Sequence, residues 1–259
     1  MVKKIIGIAA ICLSMAFCAE AQQGRIVILH TNDTHSQIEP FAPSHKAYGD
    51  LGGVVRRMAV IDSIRNAEPN VLLVDAGDAI QGTPYFNLFK GDAEFEAMNA
   101  MGYDVRTLGN HEFDNGIDEL ARNWKKVKGA RLPANYDFSK PPAAGLFKPY
   151  VVKKIGKKKI GFIGINVDPA SLISTANTGA MEFRPVIETA NHWAEFLKKK
   201  EKCDLVVAVT HIGYESENGK TNDVDLARAS KDIDIIIGGH SHCLQGIEYY
   251  AVSYTHLTL

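Results

Sequence analysis

The chain has 259 residues, 46% of them hydrophobic and 23% charged, an ordinary globular composition that excludes a disordered, collagen-like or coiled-coil protein. With 29 basic and 30 acidic residues the formal net charge is -1. No basic excess exists to hold a nucleic-acid duplex, and no polybasic stripe reads as a membrane anchor.

The N-terminus comes first. Lys3 and Lys4 precede an apolar run from Ile5 to Phe17, and Ala19-Glu20-Ala21 offers small residues at both positions a signal peptidase needs. Residues 1–21 therefore read as a signal peptide cleaved after Ala21, which predicts a periplasmic or secreted protein. The run is too short for a membrane span, which needs about 20 apolar residues. Cys18 raises a lipoprotein alternative, against which the bulky Phe17 argues. Cleavage would also remove Cys12, and the remaining Cys203 and Cys243 are expected to be unpaired buried thiols.

Runs rich in Val and Ile, bounded by Gly, Asp and Asn, predict strands over residues 25–30, 71–75, 104–108, 159–166, 204–210 and 232–238. Helical spacing predicts helices over 51–66, 93–101, 117–128, 185–200 and 222–230. In the first of these Val54, Met58 and Ile61 share a face, and Pro185 suits the first turn of the fourth. The alternation implies an α/β domain with sheets covered by helices. Residues 150–152 and 159–166 flank a Gly156-Lys157-Lys158 turn and read as a hairpin, so a mixed sheet is expected. Residues 131–144 read as loop and edge strand. The lysine clusters around the hairpin and at 198–200 read as solvated faces. The final residues 252–259, VSYTHLTL, resemble a translated sequencing adapter and are expected to be a non-native tail. Their polar-apolar alternation would also suit a genuine strand.

Five of the predicted strands share one feature: each runs into residue types that bind metals. RIVILH runs into Asp33 and His35, NVLLVDAG into Asp78, and DVRTLG into Asn110, His111 and Asp114. DLVVAVT runs into His211, and DIDIIIGG into His240 and His242. Functional groups in α/β sheets collect outside the carboxyl ends of the strands. Alone, Asp33 suits a turn, His35 the surface, Asp78 an Asx turn, His211 the core and Asp114 a helix cap. The succession at five strand ends is what points to metal chemistry. Imidazole, carboxylate and amide donors suit Zn, Mn or Fe better than an all-oxygen Ca site.

The segments HTNDTH, DAGDAIQG, GNHEFD, VTH and GGHSH resemble the signature set of the calcineurin-like metallophosphoesterases. More closely, they resemble the catalytic domain of the secreted 5'-nucleotidase and 2',3'-cyclic-nucleotide phosphodiesterase family. The resemblance covers residues 24–251. It implies a four-layer α/β/β/α sandwich, truncated at its C-terminal end, with two divalent metal ions, Zn, Mn or similar. At matched positions, Asp33, His35 and His242 would bind the first ion and Asn110, His211 and His240 the second, with Asp78 bridging. His111 would be the catalytic group that is not a ligand, with Asp114 orienting its ring; a supporting role, holding Asn110 in place, is the other reading of His111.

The implied activity is hydrolysis of nucleotide phosphate esters by a two-metal-activated hydroxide. The implied substrate is a nucleotide or other small phosphoester. Full-length members carry a C-terminal substrate domain, so a separately encoded one is an expected partner. Alternatives on the same fold are hydrolysis of nucleotide sugars, cyclic nucleotides or thiosulfonate esters, or an inactive truncated metal or nucleotide binder.

Overall fold

In the computed structural model, residues 24–170, 172–215, 219–243 and 246–250 are described, together with the backbone of 253–256. In chain order the elements begin with β1 (Val27–Thr31), α1 (Val54–Ala67), β2 (Val71–Asp75), α2 (Pro84–Phe89), α3 (Asp92–Met101) and β3 (Val105–Arg106). A 3-10 turn (His111–Phe113) and α4 (Gly116–Trp124) follow, then β4 (Ala130–Arg131), β5 (Tyr136–Asp137), β6 (Tyr150–Ile155) and β7 (Lys158–Asn166). The remainder are α5 (Thr175–Thr178), β8 (Glu182–Phe183), α6 (Val186–Lys199), β9 (Leu205–His211), α7 (Asp223–Ala229), β10 (Ile235–Ile237), β11 (Glu248–Tyr250) and β12 (Ser253–His256).

Two sheets face each other. The first runs β1-β2-β3-β4, all parallel. The second runs β11-β12-β10-β9-β7-β6 and is mixed, because the β6–β7 hairpin and the β11–β12 pair are antiparallel. The continuous apolar strands reflect burial on both faces. Along β7, Ile160 and Phe162 point between the sheets, while Ile163 and Ile165 point at the helices. Along β9, Val207 and Val209 face inward, and Val206 and Ala208 face outward. This is the two-residue period of a pleated strand.

Helices α3 and α4 cover the first sheet with Phe95, Met98, Met101, Leu120 and Trp124, packed with Leu73. Helices α6 and α7 cover the second with Val186, Ala190, Leu197 and Leu226. Burying each large apolar side chain contributes roughly 1.5–3 kcal/mol. Three apolar layers between four structural layers give the expected α/β/β/α sandwich. The sheets are also tied by amides at their carboxyl ends. Asn135 and Asn166 exchange two 2.8 Å bonds, and the Asn166 side chain donates to the Leu108 carbonyl in the loop after β3 of the first sheet.

Some boundaries differ from expectation. Helix α1 starts at Val54 because Gly52 and Gly53 adopt φ of 76° and 82°, outside helical space. Helix α4 stops at Trp124, and the predicted strand over 104–108 shortens to β3. Cys203 is buried as expected, but Cys243 is exposed; neither is bridged. Among the described residues, no helix is long and apolar enough to cross a membrane. The predicted signal peptide lies outside the described residues, as do 252 and 257–259 of the proposed tail. Strand β12 pairs parallel to β10, a geometry its alternating residues permit whatever their origin.

Candidate metal centre

The carboxyl ends of β1, β2, β3, β9 and β10 open on one rim. There the loop after β1 pairs with the loop after β2. Asp33 N donates to Gly77 O at 2.9 Å, His35 N to Asp78 O at 3.1 Å, and Ser36 N to Ala79 O at 3.0 Å. His240 N donates to both Asp33 oxygens, at 3.1 and 2.9 Å, and so brings the second sheet's loop to the first. Five of the predicted site residues adopt left-handed backbone: Asp33 at φ 46°, His35 at 42°, Asp78 at 53°, His240 at 87° and His242 at 52°. Each costs of order 1–3 kcal/mol, and such strain gathers where the surrounding structure must aim particular side chains.

Among the described residues, three overlapping groups could hold a metal ion: Asp33, His35 and His242; Asp78, His211 and His240; and His35, Asp78 and His111. In each, the ligand atoms lie within 4.8 Å of one another. Asp33 Oδ1 is 3.5 Å from His242 Nε2, 3.9 Å from His35 Nε2 and 4.0 Å from His211 Nε2. Asp78 Oδ2 is 3.0 Å from His211 Nε2 and 4.0 Å from His35 Nε2. Asn110 lies between Gly109, whose N–H donates to Glu112, and His111, whose N–H donates to Asp78 Oδ1 at 2.9 Å. Its side-chain oxygen is buried without a hydrogen-bond partner. All nine predicted site residues therefore reach one rim, with Asp114 there through its bond to His111.

The electrostatics favour cations. His211 Nδ1 is 2.7 Å from the Ala76 carbonyl, which can only accept, so Nδ1 carries a proton and, in the neutral ring, Nε2 carries the lone pair. That lone pair faces a carboxylate oxygen at 3.0 Å. Two acceptors so placed need a proton or a cation between them. Burial lowers the His211 pKa, but Asp78 and Asp33 outweigh it and push it up to about 10. Burial also opposes charge on Asp78, yet His211 and the His111 N–H hold its carboxyl well below the usual range. Burial and the neighbouring His211 bring the His240 imidazole down to about 4. Convergent lone pairs, an unpartnered amide oxygen and two carboxylates are a donor set that fits divalent ions.

His111 differs from the other histidines. Its Nδ1 bonds Asp114 Oδ2 at 2.8 Å, and its ring packs edge-on against His35 at 5.3 Å. The Asp114 bond raises its pKa and outweighs burial. It is also half-buried rather than enclosed. An imidazole whose charged form Asp114 favours, at the lip of this cluster, is placed where it could donate a proton.

Sequence reasoning missed the groups behind the ligands. Glu112 is 3% exposed and accepts from three backbone N–H groups. Burial and the charge of Asp78 push its carboxyl up to about 7. Asp75 accepts from Thr31 Oγ1 at 2.6 Å and from Gly77 N at 3.2 Å, bracing the same loop. The only sequence signal was position: both lie inside the motifs, at places no ligand pattern uses.

A family model described as calcineurin-like phosphoesterase matches residues 26–244. The chain belongs to the calcineurin-like phosphoesterases. Among its relatives in that family, the 5'-nucleotidase of Bos taurus is 35% identical over 230 residues, covering 86% of this chain and 39% of the relative. The 5'-nucleotidase of Vibrio cholerae is 36% identical over 261 residues, covering 92% and 46%. The crystal structure of a 5'-nucleotidase precursor from Thermus thermophilus superposes with a TM-score of 0.75 at 35% identity, covering 85% of this chain and 42% of that one. This calcineurin-like phosphoesterase thus spans less than half the length of these relatives.

Proposed function

We propose that this protein is a metal-dependent phosphoesterase that hydrolyses phosphate esters of nucleotides. The observation that carries the reading is the meeting of ligand side chains from both sheets beside the His111–Asp114 pair. Asp33, His35 and His242 would hold one ion, Asn110, His211 and His240 a second, and Asp78 both. When bound, two divalent ions supply Lewis acidity toward water and phosphoryl oxygens. The chain supplies the rest. His240 N steadies Asp33, His111 N steadies one oxygen of Asp78, and Ala76 fixes the His211 tautomer. Asp114 engages His111 Nδ1 and leaves Nε2 to donate to a phosphoryl or leaving oxygen. Neutralising charge and positioning groups are the main tasks in phosphoryl transfer.

The family match and the 5'-nucleotidase relatives support nucleotide esters as the substrate class. The signal-like residues 1–21 support export to the periplasm or medium. The test is a panel of AMP, UDP-glucose, 2',3'-cyclic AMP and an aryl phosphate with Mn- and Zn-loaded protein. Phosphate release fastest from AMP is expected. Metal binding without hydrolysis of any ester would overturn the reading in favour of a binder.

A further inference from the structure

We infer that Glu112 is a positioning residue that clasps the loops carrying Asp78 and Asn110 and so sets the bridging carboxylate against the His111 arm. The inference rests on the two-metal reading above. Its starting point is a buried carboxylate whose hydrogen-bond partners are backbone N–H groups. Glu112 Oε2 accepts from Asp78 N at 3.1 Å and from Gly109 N at 2.5 Å. Glu112 Oε1 accepts from Ala79 N at 2.9 Å. The three donors come from two loops on neighbouring strands, β2 and β3, so one side chain holds both.

The clasp acts on Asp78 twice. Glu112 takes the backbone N–H of Asp78, while the N–H of the adjacent His111 holds Asp78 Oδ1 at 2.9 Å. Both grips come from one 3-10 turn. They leave Asp78 Oδ2 turned to His211 at 3.0 Å. The same turn begins at His111, whose ring meets Asp114, and follows directly on Asn110. The placement of a ligand from β2, a ligand from β3 and the proton-donating ring is therefore set by one glutamate. Neutral glutamine fills the same space, but its amide nitrogen can only donate and would face a backbone N–H. At least one of the three bonds is lost, and a buried donor is left unmet.

The experiment measures Mn2+ binding to metal-free protein by calorimetry, for wild type, Glu112→Gln and a control, Glu94→Gln. Glu94 is equally buried, on α3, and bonds neither ligand loop. Glu112→Gln is expected to lose about 10–100-fold in Mn2+ affinity, the usual effect of removing support behind a ligand. The amide protons of Asp78 and Gly109 should also exchange faster with solvent. Glu94→Gln should bind as wild type does. Glu112→Asp, which keeps the charge but withdraws it by one methylene, should lose affinity too, and it is read instead if the glutamine variant does not fold. Wild-type affinity in the Glu112 variants, or an equal loss in Glu94→Gln, overturns the inference while leaving the functional reading intact. A wild-type protein that takes up no divalent ion overturns both.

Discussion

His211 donates its Nδ1 proton to the carbonyl of Ala76 across 2.7 Å, a bond that runs from the end of β9 in one sheet to the loop after β2 in the other. The acceptor belongs to the loop that ends in Asp78, whose side chain lies 3.0 Å from the opposite ring nitrogen. One imidazole thus fixes both the spacing of the sheets at the rim and the direction of its own Nε2. His211→Ala removes a proposed ligand atom and leaves a buried carbonyl unmet, a loss of about 1–3 kcal/mol. Elemental analysis should find fewer divalent ions per chain than in wild type, with a lower melting temperature. A full metal complement would contradict the role.

The His111–Asp114 pair makes a separate prediction. His111→Ala should cut turnover on a nucleotide by about 10²–10⁴-fold, the range for loss of a general acid. Metal content should stay at the wild-type level, because Nδ1 is engaged with Asp114 and the ring is not among the seven proposed ligands. Asp114→Asn should fall between the two, since it keeps the ring but weakens its orientation. Steady-state kinetics beside metal analysis separates these outcomes. Unchanged turnover in His111→Ala would remove the ring from the chemistry.

Much of this was legible in the chain itself, for physical reasons. Strands β7 and β9 are buried on both faces, so their sequences carry near-continuous apolar runs, and β9 ends on His211, one of the residues in the ligand-type clusters. The four layers could not be read from periodicity, which says which residues are buried but not against which layer; the resemblance supplied them. Helix α2 was not predicted, because its six residues, PYFNLF, are too few to show a helical face. The short pair β5 and β8 is held by two residues on each side, below any pattern. At the centre, residues with donor atoms were visible. Glu112 and Asp75 were not, since their work is to accept from backbone N–H groups whose positions only the fold reveals.

Gly109 offers a steric test of how closely the β2 and β3 loops approach. A Cβ at this position would overlap Asp78 Oδ1 and lie 2.5 Å from Asp78 N, a clash that backbone and carboxylate must move to relieve. Gly109→Ala should therefore displace Asp78 and loosen the Glu112 clasp together. Mn2+ affinity should fall at least tenfold, comparable to the loss of support behind a ligand. Thermal stability should fall as well, as expected for overpacking at a closed site. A variant that binds Mn2+ as tightly as wild type would show that the loops do not need this proximity.

Asp223 gives a pH prediction. It is fully buried at the start of α7, where Oδ1 accepts from Thr210 Oγ1 at 2.6 Å and Oδ2 has no hydrogen-bond partner. Burial raises its pKa from 3.8 to about 7, against the lowering effects of Thr210 and His211. Between these values the folded chain keeps a proton that the unfolded chain has lost. Stability from this group therefore falls as pH rises through that window and levels off above it. Asparagine is neutral at every pH and still accepts from Thr210. Asp223→Asn should match wild type in melting temperature near pH 4 and exceed it by several degrees at pH 8, about 2–4 °C for each kcal/mol recovered in a chain of this size. Thermal scans across pH, with and without Mn2+, would show the curves parting as pH rises. Parallel curves would mean that Asp223 is ionised in the folded protein throughout.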